Sequence, residues 1–143
     1  MQSLVISTLS LLFVHIITVS VCFAQGHVEA NVPESQNFDS YLKRDLNEYF
    51  ASGNGVKVSV EYELLRKPAT QVGVAYPKFY AWVKVFENET LKRQGAVRVA
   101  AIDKEQFEIT NFVTAETIRR DPKVIETVFP AVLCPKIIEL AKQ

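Results

Sequence analysis

The chain has 143 residues, a length suited to one domain, with 16 basic side chains balanced by 16 acidic ones. Zero net charge leaves no basic footprint for nucleic acid. Two histidines and two cysteines, at spacings that match no zinc or calcium pattern, argue against a metal centre and indicate no cofactor.

The first 24 residues, Met1 to Ala24, carry no Asp, Glu, Lys or Arg and are nearly continuous apolar sequence from Leu4. Cys22 and Ala24 fit the −3 and −1 positions of a signal-peptidase cut after Ala24. This segment therefore reads as a signal peptide, and the chain as exported, periplasmic or secreted. An uncleaved anchor through residues 4–24 is the alternative, since about 20 apolar residues span a bilayer. With Cys22 removed, Cys134 stands alone in "FPAVLCPKII", as a small buried hydrophobe without an internal disulfide partner. Residues 25–37 are polar and irregular, and read as a flexible leader to a single domain over 38–143.

Phe38, Leu42, Leu46, Tyr49 and Phe50 recur at helical spacing, opposite Lys43, Arg44, Asn47 and Glu48. This predicts an amphipathic helix over about Asp39 to Ala51, ended by "SGNG". The period then changes to two. Val56, Val58, Val60, Tyr62 and Leu64 alternate with Lys57, Ser59, Glu61, Glu63 and Leu65, as in a half-buried strand. "RKPATQVGVAYP" reads as a loop and "KFYAWVKVF" as a second strand. "ENETLKRQG" reads as a turn, "AVRVAAI" as a third strand, "DKEQ" as a tight turn and "FEITNFV" as a fourth strand. Short turns between consecutive strands give an antiparallel meander.

The tail returns to helical signals. Thr114 can cap "AETIRR", and Asp121-Pro122 opens another helix. Pro130 interrupts it and Cys134-Pro135 restarts one, so two or three short C-terminal helices are expected. The fold class is α+β, with one N-terminal amphipathic helix on a four-stranded antiparallel meander and short helices after it.

One helix followed by such a meander, over Phe38 to Val113, resembles the cystatin-like and nuclear-transport-factor-2-like superfolds. The first resemblance implies protease inhibition through a Gln-x-Val-x-Gly hairpin. This chain instead has Thr70-Gln71-Val72-Gly73, without that spacing, and no later Pro-Trp pair. The second implies a pocket-bearing domain that could use a sheet carboxylate as a general base.

The chemistry that remains lies on the sheet. If Val56, Val58, Val60, Tyr62 and Leu64 face the helix, so do Phe79, Ala81, Val83, Val85, Val97, Val99 and Ala101. The opposite face then collects Glu61, Glu63, Tyr80, Trp82, Lys84, Phe86, Arg98 and Ala100. The fourth strand adds Glu108, Thr110 and Phe112, or the alternate set if its register shifts. Two readings of this face stand side by side. Its aromatics can seat the tail helices, with Glu61 and Glu63 offset by Lys84 and Arg98. Alternatively Tyr80, Trp82, Arg98, Glu61, Glu63 and Phe112 line a small-molecule pocket. A protein partner at the long loop, through Gln71, Val72, Val74 and Tyr76, is a further candidate. No Ser/His or Cys/His nucleophile pair and no phosphate loop is evident, so the chain reads as a binding or structural domain. Asn88-Glu89-Thr90 is a glycosylation sequon in a predicted turn.

Overall fold

The computed structural model describes residues 31–51, 56–67 and 75–143. The expected signal segment and the "SGNG" helix stop lie outside them. The elements run α1 (Ser35–Phe50), β1 (Val58–Leu64), β2 (Lys78–Glu87), β3 (Thr90–Asp103), β4 (Gln106–Thr114), α2 (Ala115–Arg120) and α3 (Cys134–Ala141). Two 3-10 turns, Pro122–Ile125 and Ala131–Leu133, join α2 to α3. The sheet order is β1-β2-β3-β4, antiparallel throughout. The sequence therefore gives the α+β class and the meander correctly.

Helix α1 starts earlier than its periodicity suggests. Val32 packs on the helix-side core, and the Asn31 amide donates to the Ala75 carbonyl at 2.6 Å. Residues 31–37 thus belong to the packed structure rather than to a leader. The start is hard to read because Glu34, the residue at the N-cap, makes no side-chain capping bond. Leu42, Leu46 and Phe50, four residues apart, form the buried stripe of α1. They meet Val60, Phe79, Ala81, Val83, Val85, Val97, Val99, Ala101 and Phe107 in one core cluster.

Two polar side chains of α1 bind the sheet at its two outer strands. Asn47 Oδ1 accepts the Val60 N–H of β1 at 2.8 Å, and Asp45 Oδ2 accepts the Phe107 N–H of β4 at 2.7 Å. An edge strand carries backbone groups with no ladder partner. Here side chains of the covering helix satisfy one such group on each edge.

The expected nine-residue turn after β2 is far shorter. Asn88 and Glu89 alone form it, both in the left-handed region at φ 47° and 67°. That is the two-residue hairpin geometry whose twist matches the flanking strands. Residues 90–94 continue as strand, with Gln94 opposite Lys84 and Arg93 opposite Val85. Their polarity suggested a loop, but this part of the ribbon runs beyond the densest packing. Gly95 is needed where β3 passes the end of β4. A Cβ there would lie 2.8 Å from Thr114 Cα and 2.9 Å from Phe112 Cε2, and closer still to the Val113 carbonyl oxygen.

Candidate functional site

The tail crosses the second face of the sheet. Its N-terminal step is set by Thr114, whose hydroxyl accepts the Thr117 N–H at 3.2 Å and caps α2. Asp121 caps the following 3-10 turn in the same way, with Pro122 at its first position. Arg119 Nη1 then donates to the Ala141 carbonyl at 2.6 Å, joining α2 to the end of α3. Ile118, Ile125, Phe129, Leu133, Cys134 and Ile137 form a second core cluster with Tyr80, Trp82 and Ala96. Tyr80 and Phe129 meet with ring centroids 5.8 Å apart. Both faces of β2 are therefore covered, and Tyr80 and Trp82 are each only 4% exposed. Burial pushes the Cys134 thiol up, with a smaller contribution from Glu126.

The covering stops short of one end of the sheet. A cleft of about 350 Å³ remains there, lined by Glu61, Tyr62, Glu63, Trp82, Lys84, Leu91, Gln94, Leu140 and Gln143. Glu61 stands opposite Lys84, and Glu63 opposite Trp82, across the β1–β2 pair. Lys136 of α3 reaches Glu63 Oε1 at 2.6 Å. The expected partners of the carboxylates are thus only half right, because Lys84 opposes Glu61 while Glu63 pairs with a lysine from the tail.

The sequence-selected residues separate into three groups. Glu61, Glu63 and Trp82 share the cleft. Tyr80 and Arg98 oppose one another on β2 and β3 but do not line it. Arg98 Nε donates to Thr110 Oγ1 at 3.0 Å and Nη1 to the Val128 carbonyl at 3.5 Å, so it braces β4 and the tail. Phe112 is on the other side of the sheet, against α1, with its ring centroid 4.8 Å from that of Phe50. The register of β3 and β4 shifts between Arg98 and Val99, leaving Thr110 as an extra residue. Phe107, Ile109 and Phe112 all face α1 as a result, whereas simple alternation puts Ile109 and Phe112 on opposite faces.

Of the loop candidates, Tyr76 is 54% exposed, and Gln71, Val72 and Val74 lie outside the described residues. Leu91 and Gln94 are cleft residues that the sequence places in a turn. Leu140 and Gln143 reach the cleft through the docking of α3, which periodicity alone cannot locate. Among the described residues no group of metal-ligating side chains occurs, and no helix is long and apolar enough to cross a membrane.

On the α1 face of the sheet, the Tyr62 hydroxyl donates to Asp39 Oδ1 of that helix at 2.5 Å. Burial, and then this bond to a carboxylate, push the phenol well above its ordinary value. The unfolded chain releases the proton near pH ~10, and the folded chain does so later. The stabilisation is complete below that pH and is lost as pH rises toward the raised value. Denaturant melts above pH ~10 are expected to show a steeper fall in stability for the native chain than for Tyr62→Phe. Equal slopes would show that the phenol is not held protonated.

Compared with protein-family models, with curated proteins and with solved structures, the chain gives no match. The fold and cleft define it as an α+β domain with a sheet covered on both faces and a polar-rimmed opening at one end.

Proposed function

We propose that the chain is an exported, non-catalytic binding domain that holds a small zwitterionic ligand, such as a short peptide, in the cleft beside Trp82. One observation carries this reading. The tail fills most of the second face but leaves an opening of about 350 Å³ where Glu61, Glu63, Lys84 and Gln94 converge around an aromatic floor. That volume falls within the usual range for small-molecule sites, which combine apolar walls with a few polar groups. Charges of both signs, opposed across one strand pair, suit a ligand that carries both.

A catalytic reading finds less support. A general base in a sheet site gains its basicity from burial, and both glutamates are exposed, with Glu63 also ion-paired. Trp82 is the single tryptophan of the chain, so indole emission comes from one residue, which borders the cleft and packs beneath the tail. Titration with a panel of short peptides and amino-acid amides is expected to shift that emission saturably. Lys84→Ala and Glu61→Ala, both at exposed positions, are expected to weaken binding about tenfold each, the equivalent of one partly screened charge contact. A panel without a saturable shift, or binding unchanged in both variants, would overturn the proposal.

A further inference from the structure

Asn88-Glu89-Thr90 is the one Asn-x-Ser/Thr tripeptide in the chain, and the fold places it at the tip of the β2–β3 hairpin. We propose that Asn88 is an N-glycosylation acceptor. All three residues are exposed. Asn88 is the first of the two turn residues, at φ 47°, and its backbone N–H is engaged by the Lys57 carbonyl at 3.0 Å. Its carboxamide makes no hydrogen bond among the described residues. The backbone of the acceptor is therefore fixed while its reacting nitrogen is bare. A two-residue tip also gives a bulky glycan clearance that no position within the ladder offers.

The strands below the tip supply a second feature. Phe86, two residues before Asn88, pairs with Leu91, and the ladder shifts by one residue between Val85 and Phe86. Leu91 is 44% exposed. An aromatic ring and an exposed leucine thus lie beneath the acceptor, an apolar shelf for the C–H face of the first sugar. Leu91 also lines the cleft, so the glycan would stand at the rim of the proposed ligand site.

The modification needs a lipid-linked oligosaccharide diphosphate as donor. Asn88 Nδ2 forms a bond to the anomeric carbon of the first sugar. The bond from that carbon to the diphosphate oxygen breaks, and the lipid diphosphate leaves with the electron pair. The amide gives up one proton, and no oxidation or reduction occurs. Thr90 completes the motif that the transferring enzyme reads.

The inference rests on export, and it is independent of what the cleft binds. The full chain expressed in a eukaryotic secretory host is expected to appear in the medium with one glycan. A peptide-N-glycosidase should remove it and leave a deamidated site that mass spectrometry locates at residue 88. Asn88→Gln and Thr90→Ala are each expected to abolish the mobility shift, and Thr90→Ser to retain it. Secreted protein without a glycan, or a shift that survives Asn88→Gln, would overturn the glycosylation proposal alone. Retention of the chain in the cytosol would overturn export and glycosylation together.

Discussion

Gly95→Ala is expected to destabilise the fold by about 3 kcal/mol, the upper end of what overpacking costs. Two of the atoms that a Cβ would meet, the Val113 carbonyl oxygen and Thr114 Cα, are backbone, and only the third is a side-chain atom, of Phe112. Rotamer changes cannot relieve a clash with backbone, so β4 must move. Movement there reaches the tail directly, because Thr114 is both the partner of Gly95 and the cap of α2. Thermal denaturation is expected to show a Tm lower by on the order of 10 °C. Trp82 emission should shift toward that of exposed indole in the same variant. A loss under about 1 kcal/mol would show that β4 does not pass Gly95 as closely as described.

Asp45→Ala is the second large effect, at about 3 kcal/mol. Asp45 is 7% exposed, the one charged or polar side chain in the buried set among the described residues. Its two oxygens have different partners, since Oδ2 accepts the Phe107 N–H while Oδ1 accepts Arg44 Nε at 2.8 Å. Truncation leaves the buried Phe107 N–H without an acceptor, and hydrogen bonds to charged groups are worth about 1.5–3 kcal/mol. Arg44 is half exposed and recovers its hydration, so it adds little to the loss. Asp45→Asn keeps one oxygen for the Phe107 N–H and is expected to lose roughly half as much as alanine does. Urea denaturation would separate the two variants. Equal losses would place the cost in the charge rather than in the backbone contact.

What could be read from the sequence depended on period. The alternation in β1 and the two-sided apolarity of β2 placed Val60, Phe79, Ala81, Val83 and Val85 on one face and Tyr80 and Trp82 on the other, as found. Proline and capping residues placed the tail helices for a similar reason, since each signal is local to one turn of chain. Phe112 went to the wrong face because a bulge adds one residue to one strand and leaves no mark in the hydrophobic pattern. The polar run 90–94 was lost to a turn because strand residues beyond the packed core carry no burial signal. The cleft was half legible. Glu61, Glu63 and Trp82 come from a face the pattern defines, whereas Leu91 depends on turn length and Leu140 on where α3 docks.

The two clusters on either side of the sheet differ in how far along the chain they gather their members. The α1 side joins Leu42 to Phe107, through every strand. The tail side draws most of its members from one consecutive stretch, Ala115 to Ala141, and borrows Tyr80, Trp82 and Ala96 from the sheet and Leu65 from just beyond the end of β1. A short stretch closes its contacts at a smaller entropic cost than a long one. It can also let go as a unit while the α1 side stays shut, which makes it a separate opening step below global unfolding. Amide exchange would then fall into two tiers across one sheet, and the lone indole sits on the faster of them.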